Sequence, residues 1–183
     1  MEAHEFSSRV NTLSELSLKV DAARSREEII RILKDNLKRL IEGECAFAGL
    51  LSHNKTHYVI STLSPLMDAI ELEHKHFSVD VGMPGWSIQN NAGIMVDIDS
   101  APAFHPSLEG KLKDLGIRSL IIVPIHTHEE MIGALVFGSS RPGAFVDPDV
   151  WLAQLLALQI AIALRHTSLM ERAQKKVAQI GLV

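Results

Sequence analysis

Apolar residues recur at helical spacing through the first forty positions of the chain. Steps of three and four predict an amphipathic helix whose buried face would consist of Phe6, Val10, Leu13, Leu16 and Val20. Ser25 and Glu28 then form a capping box, which predicts the start of a second helix. Its buried face would run from Ile29 to Ile41, and Gly43 would end it.

The period changes toward two after residue 45, which predicts strands. Residues 46–64 are typical of a β-hairpin with its turn at Asn54 and Lys55. Residues 65–75 are ambiguous between a short helix and a loop, and 75–81 alternate as a strand. A glycine turn follows, then a short helix over 84–90, a strand over 93–98, and a helix that Gly116 would end.

The last third of the chain is the most apolar. Residues 118–126 and 131–139 are apolar almost without alternation, which predicts central strands covered on both faces. A final helix over 149–179 is apolar nearly all round in its first half. Its second half keeps a narrow seven-residue stripe at Ala163, Met170 and Val177, which favours a partner helix.

Composition limits the partners. The chain of 183 residues has a net charge of −4, and its Lys and Arg residues are scattered, so neither nucleic acid nor a membrane is an expected partner. The longest apolar run, 150–164, is shorter than the roughly 20 residues of a membrane span. The first ten residues have no apolar core, so no signal peptide is expected there. The single cysteine, Cys45, excludes an internal disulfide framework and fits a cytoplasmic location.

Four local motifs carry a family resemblance. They are GMPGW at 82–86, VDIDSAPAFHP at 96–106, LGIRSLIIVPI at 115–125 and IGALVFGS at 132–139. Together with the order of elements, they resemble the GAF domain, a small-molecule sensor module related in shape to PAS domains. The resemblance implies an α+β fold with a central antiparallel sheet of five or six strands flanked by helices. It divides the chain into an N-terminal helix (1–24), the domain (25–165) and a C-terminal helical extension (166–183).

The resemblance also implies a ligand cavity between the sheet and the helix that follows the glycine turn. Trp86 would lie where this helix meets the sheet, where a tryptophan serves packing or recognition, and packing is the more common role. The side chains expected to face the cavity are Phe77, Val79, Trp86, Gln89, Asp97, Phe104, His105, Arg118 and Ser119.

The chemistry of several GAF families can be compared with this sequence. Free methionine sulfoxide reductases of this fold use several cysteines, and bilin-binding members attach the chromophore through a cysteine in the helix before the late strands; here Cys45 stands alone on the first strand. The cyclic-nucleotide signature is not found either. No metal site is predicted, although the turn histidines His53, His57, His126 and His128 are an alternative metal set, and His74, His76 or His105 an alternative haem ligand.

The favoured interpretation is a non-catalytic sensory module that binds a small molecule. It would form a homodimer through its terminal helices and signal to an effector domain such as a histidine kinase or diguanylate cyclase, as in two-component systems. Effector domains of this kind normally follow such a module, so the chain is expected to be a fragment. A ligandless structural dimerisation module and a redox enzyme that uses Cys45 remain the alternatives, and the cofactor is not identified.

Overall fold

The computed structural model describes residues 3–181. The helices of this part of the chain are α1 (Ala3–Asp21), α2 (Arg26–Asn36), α3 (Pro65–Asp68), α4 (Gly82–Asn90), α5 (Lys111–Asp114) and α6 (Asp147–Ile180). The strands are β1 (Cys45–Leu51), β2 (His57–Thr62), β3 (His76–Ser78), β4 (Ile94–Asp97), β5 (Ser119–His126) and β6 (Met131–Ser139). Short 3₁₀ turns at Leu37–Arg39 and Ile98–Ser100 and a π-helical turn at Pro106–Gly110 complete the chain.

The strands form one antiparallel sheet in the order β3-β2-β1-β6-β5-β4. The predicted α+β class, with a central antiparallel sheet and flanking helices, is confirmed. Because β1 pairs with β6, the two long hairpins lie side by side, and their turns are joined by an ion pair between Lys55 and Glu130 at 3.5 Å. The short strands β3 and β4 form the two edges.

Each face of the sheet is covered by its own hydrophobic cluster. On β1, Ala48 belongs to the cluster under α1, α2 and α6, whereas its neighbour Phe47 belongs to the cluster under α3, α4 and α5. The same alternation separates Ile121 from Ile122 on β5. Both residues are fully buried, which explains why β5 and β6 are apolar on both faces and confirms that they are central strands.

Helix α6 is the core helix of the first face. Leu152, Leu156 and Ile160 are buried, and burial ends near Thr167, after which the helix is exposed. The predicted stripe was wrong at Ala163, which is 4% exposed and packs in the core. By length and apolar composition α6 would suffice to cross a membrane, but half of its most apolar stretch is buried inside the domain, as in an ordinary core helix.

One predicted cap and two predicted element lengths differ most from the structure. The Ser25 hydroxyl caps α2 by accepting a hydrogen bond from Glu28 N at 3.2 Å. The Glu28 carboxylate accepts from Arg24 N at 2.9 Å, and not from the N–H of Ser25 that a capping box would use. Helix α2 ends at Asn36 and not at Gly43, because a 3₁₀ turn takes over there and buries Leu37. Strand β3 covers three residues and not the predicted seven.

A partly buried ion pair joins the two terminal helices. The Arg9 guanidinium contacts the carboxylate of Asp149 and also donates to Leu40 O at 2.7 Å. The second oxygen of Asp149 accepts from Val146 N at 2.8 Å and thereby caps α6. The Arg9–Asp149 pair thus caps α6 through its carboxylate and joins α6 to α1 and, through Arg9, to the chain around residue 40.

Replacing Asp149 with Ala should lower the free energy of unfolding by about 2–4 kcal/mol, because the change removes the cap and leaves Arg9 without its carboxylate in a site that is only 14% exposed. Glu15→Ala is the matched control: Glu15 pairs with Arg39 at 3.8 Å with both side chains about 60% exposed. Its loss should cost less than about 0.5 kcal/mol. Urea denaturation followed by circular dichroism measures both variants, and equal effects would contradict this role of Asp149.

Candidate ligand-binding site

The glycine turn lets α4 pack closely over the side chain of Tyr58. A Cβ atom added to Gly49 on β1 would lie 2.8 Å from the Tyr58 ring, and one added to Gly82 would lie 2.6 Å from the Tyr58 hydroxyl. Gly82 also has a φ of +76°, which favours glycine. A Cβ on Gly85 would lie 2.3 Å from the carbonyl oxygen of Val79. Each of these three positions therefore requires glycine, because a Cβ atom there would lie too close to a neighbouring atom.

Tyr58 occupies the space between α4 and the sheet. Its side chain is fully buried, and its hydroxyl donates to Val81 O at 2.9 Å. Burial raises the pKa of Tyr58, and the nearby Glu109 carboxylate raises it further, so the hydroxyl stays protonated as a donor. Other buried side chains complete this layer: Phe47, Met67, Met83, Leu108, Leu112, Leu120 and Ile122. The space where the resemblance implied an enclosed cavity is thus filled by the protein itself.

An open groove lies at the edge of this packed layer, between β3 and the segment 105–111. Its volume is about 600 Å³, which is in the range of small-molecule sites. Its floor is apolar, and its rim carries several basic and hydroxyl side chains. The lining consists of Leu72, Lys75, His76, Phe77, Ser78, Val81, His105, Ser107 and Lys111.

A row of three rings connects the groove to the interior. The rings of Tyr58 and Phe77 stack with centroids 5.6 Å apart and an interplanar angle of 19°. Phe77 in turn meets the imidazole of His105 edge to face, with centroids 5.7 Å apart. A molecule in the groove would therefore touch side chains that are packed directly against the buried Tyr58.

Glu109 joins the two segments that border the groove. Its side chain is buried, with Oε1 accepting from Met83 N at 2.7 Å and Oε2 accepting from His105 N at 2.9 Å. Burial raises the pKa of Glu109, and the two backbone hydrogen bonds only partly oppose this effect. One carboxylate therefore fixes both the first turn of α4 and the backbone of His105.

The structure brings two of the nine predicted site residues, Phe77 and His105, to the groove. Val79 and Trp86 are partly buried and pack against the hydrophobic cluster beneath α4. The ring of Phe104 is 47% exposed and lies beside Gly110.

The other four predicted site residues make contacts elsewhere. Gln89 donates to Asp80 at 2.7 Å, and Asp97 accepts from Gly143 N at 2.9 Å. The Arg118 guanidinium donates to two backbone carbonyls, and Ser119 donates to Arg141 O at 2.7 Å. The structure does not bring these four residues to the groove.

The sequence pointed to three of the nine lining residues, Phe77 and His105 as ligand-binding and His76 as an alternative haem ligand, and missed the others. Lys75, His76 and Ser78 flank or form a three-residue strand, and Ser107 and Lys111 lie in or just after a π-helical turn. The alternation over 75–81 predicts the apolar face of this strand but not which polar residues border a groove, and the turn at 106–110 is too short to show a hydrophobic period. Glu109 was missed as well, because the sequence SLEGKLKD gives no sign that its acidic residue is buried.

Cys45 has no features of a reactive thiol. It is 1% exposed, and its sulfur lies 3.3 Å from Met67 Sδ. Burial raises the pKa of the thiol, and the charge of Glu44 adds to the effect. A cysteine that acts as a nucleophile at neutral pH needs a lowered pKa and access to solvent.

The turn histidines lie on neighbouring hairpins, as the Lys55–Glu130 ion pair shows. Each of two has a local partner: His57 Nδ1 lies 2.8 Å from Thr56 Oγ1, and His126 Nδ1 lies 3.1 Å from Thr127 O. Within residues 3–181, no three His, Cys, Asp or Glu side chains are grouped so that they would hold a metal ion.

A second cleft of about 490 Å³ lies among α1, residues 38–42 and residues 141–149. It contains carboxylates and guanidinium groups that already pair with one another, Arg9 with Asp149 and Arg141 with Glu42. These pairs compensate part of the charge of the cleft, and Lys38 in the same lining forms no ion pair within residues 3–181.

Comparison with known proteins identifies relatives of the same fold. A family model described as "GAF domain" matches residues 23–165. The GAF domain of a phosphoenolpyruvate-protein phosphotransferase from Coxiella burnetii is similar in structure, with a TM-score of 0.77 at 16% identity over 91% of this chain and 98% of that one. Among curated proteins, none matches the sequence significantly.

Two further solved structures show the range of proteins with this fold. Free methionine-R-sulfoxide reductase from Neisseria meningitidis, in complex with its substrate, has a TM-score of 0.73 at 16% identity over 93% of this chain and 96% of that one. The GAF domain of a two-component sensor histidine kinase from Bacillus halodurans has a TM-score of 0.69 at 18% identity over 81% and 99%. At these identities the likeness shows the fold alone.

Gly85→Ala should destabilise the domain by about 1–3 kcal/mol, because the new Cβ would meet the Val79 carbonyl and push α4 away from the sheet. Gly110→Ala is the matched control within a helical turn. The Cβ that this substitution adds would lie 3.8 Å from its nearest neighbour, which is an ordinary contact. Because alanine has the higher helix propensity, this variant should unfold with the same free energy as the wild type or with up to about 1 kcal/mol more. Thermal and urea unfolding measure both, and a fully stable Gly85→Ala protein would disprove the close contact.

Glu109→Gln should lower the free energy of unfolding by about 1–3 kcal/mol at acidic pH, since the amide presents an NH₂ group to a buried backbone N–H. The pKa of Glu109 is raised above its ordinary value of 4.5 in the folded state. Its contribution to stability is therefore complete below that value and is lost as the pH rises through the raised pKa.

The difference in unfolding free energy between wild type and Glu109→Gln should thus be largest near pH 4.5 and shrink toward neutral pH. Urea titrations of both proteins across this range provide the measurement. A difference that grows with pH would show that the ionised carboxylate is favoured in the folded state.

Proposed function

Because the chain belongs to the GAF domain family, we propose that it is a sensory and regulatory module without catalytic activity of its own. It binds a small molecule in the groove beside β3 and passes the state of that groove along α6. The receiver is an effector domain, such as the histidine kinase or diguanylate cyclase of a two-component system. A cytoplasmic location fits these partners, and the scattered charge supports neither a nucleic acid nor a membrane surface as a target.

The observation that carries this proposal is the course of α6. The helix is built into the core as far as Thr167 and then continues as an exposed helix to Ile180. Where it leaves the domain, Arg165 forms an ion pair with Glu129 in the turn between β5 and β6. One rigid element therefore joins the sheet to the outside of the domain.

The exposed side of α6 offers a dimer seam. Its apolar residues follow steps of seven and four, as in a coiled coil. They are each between 44% and 53% exposed: Trp151, Leu158, Ile162 and Leu169. The ring of Phe6 on α1 lies 5.7 Å from that of Trp151, so α1 borders the same seam. We assign this surface to a homodimer of paired α1 and α6 helices.

Signalling in such a dimer requires only differential binding. A ligand that prefers one arrangement of the segment 105–111 shifts the protein toward that arrangement by its difference in affinity. The rings of His105, Phe77 and Tyr58 connect the groove to the sheet, and α6 packs on the opposite face of β5. The route from groove to helix therefore runs across the sheet, from β3 and β2 through β1 to β6 and β5, which α6 contacts.

The environment of Cys45 argues against the redox alternative. A buried thiol with a raised pKa is a poor nucleophile, and its sulfur contacts the sulfur of Met67. One neighbour of the same fold is a free methionine-R-sulfoxide reductase. The expected cysteine set of that enzyme class is missing from this sequence, which contains one cysteine.

A ligandless dimerisation module is the second candidate, and the packed layer around Tyr58 favours it. Native mass spectrometry of freshly purified protein distinguishes the two functions. A sensor should carry, or accept, a molecule of a few hundred daltons, whereas a structural module should show the mass of the dimer alone. An absorbance spectrum of the same sample tests for haem or a bilin.

We expect the wild-type protein to be a dimer at about 10 μM. The double variant Leu158→Glu, Ile162→Glu should self-associate at least tenfold more weakly, because each helix would place two carboxylates in the seam. Light scattering after size exclusion measures the mass. Leu115→Glu is the control: Leu115 is 38% exposed and lies outside the terminal helices, so this variant should remain dimeric. A monomeric wild type at tens of micromolar would exclude the dimer.

A further inference from the structure

We propose that the occupant of the groove beside β3 is a small anion with a flat apolar body, such as an aromatic carboxylate or an aromatic phosphate monoester. This inference rests on the proposed function in which that groove is the ligand site. It names the chemical class of the ligand from the side chains that line the groove.

The charge of the groove differs from that of the chain as a whole. The chain has a net charge of −4, yet the lining contains two lysines and two histidines and no carboxylate. Lys75 and Lys111 form no ion pair with any residue in 3–181, whereas the neighbouring Lys113 pairs with Asp99. Two ammonium groups without a counter-charge at the rim of a concave site favour an anion.

His105 is held ready to donate a hydrogen bond. Its backbone N–H is fixed by Glu109 at 2.9 Å, and its Nδ1 accepts from Ser107 N at 3.3 Å. Because Nδ1 acts as the acceptor, the proton of the neutral ring sits on Nε2. The ring therefore keeps Nε2–H as a donor. Ser107 adds a hydroxyl group to the same lining, whereas the Ser78 hydroxyl already donates to Asp80 Oδ2 at 3.4 Å.

The body of the ligand follows from the floor of the groove. Leu72, Phe77 and Val81 are apolar, and the Phe77 ring is held between Tyr58 and His105. A bare inorganic anion would leave this floor uncovered in a groove of about 600 Å³. A neutral ring would leave the two lysines without a partner. A flat ring system with one acidic group uses both parts of the site.

The test compares four probes that differ in one property at a time. These are 2-naphthoate, 2-naphthyl phosphate, the neutral isostere 2-naphthamide, and acetate, each titrated into the full chain by calorimetry and by ligand-observed NMR. At least one aromatic anion should bind with a dissociation constant below about 1 mM. The amide should bind at least tenfold more weakly, and acetate should not bind. The ratio of the two aromatic anions separates a carboxylate site from a phosphate site.

A pair of charge-matched variants locates the binding. Lys75→Gln with Lys111→Gln should weaken the anion at least tenfold, whereas Lys175→Gln with Lys176→Gln, at the exposed end of α6, changes the net charge equally and should have no effect. Circular dichroism confirms that both remain folded. Equal binding of the amide, equal effects of the two variants, or no binding of either aromatic anion at 10 mM would overturn this proposal.

The two proposals fail in different ways. If the protein is a dimer but binds none of the anions, the proposed ligand class is wrong and the proposed helical signalling dimer is not contradicted. If the protein binds the anions but is a monomer, the ligand class is supported and the signalling dimer is wrong. Light scattering and calorimetry on the same sample therefore report on them separately.

Discussion

The close approach of α4 to the sheet over the ring of Tyr58 is the constraint on which the rest of this face depends. Glycines at 49, 82 and 85 are needed because any Cβ there would overlap the ring or the Val79 carbonyl. Because α4 lies this close to the sheet, the Tyr58 ring fills the space beneath the helix, and the Tyr58 hydroxyl donates a hydrogen bond to Val81 O. On this face, a groove of about 600 Å³ lies where α4 no longer covers the sheet, at the edge strand β3.

This arrangement changes the way in which a ligand would act on the domain. A guest in an enclosed cavity replaces core packing, whereas a guest at the β3 edge adds contacts to residues that are already packed. Glu109 is then central, because it ties the backbone of His105 to the first turn of α4 by two hydrogen bonds. Movement of the groove wall cannot leave α4 unaffected while both bonds hold.

Much of the fold could be predicted from the pattern of the sequence, and the reason is periodicity. The unbroken apolar runs of β5 and β6 indicate strands covered on both faces, and the capping box at Ser25 indicates the start of α2 within one residue. The site was less predictable because its lining comes from short segments. Lys75 and Lys111 are far apart in the sequence, and only the pairing of β2 with β3 and the turn at 106–110 place them in one groove.

The exposed end of α6 has a mechanical consequence. From residue 168 to residue 180 the helix extends about 20 Å beyond its last buried contact, at 1.5 Å per residue. A tilt of about 5° at Arg165 would displace its tip by roughly 1.7 Å at that length. In the proposed signalling module, the helix would act as a lever arm that pivots near the Arg165–Glu129 pair, and a sub-ångström rearrangement of the sheet would be magnified before it reached a partner.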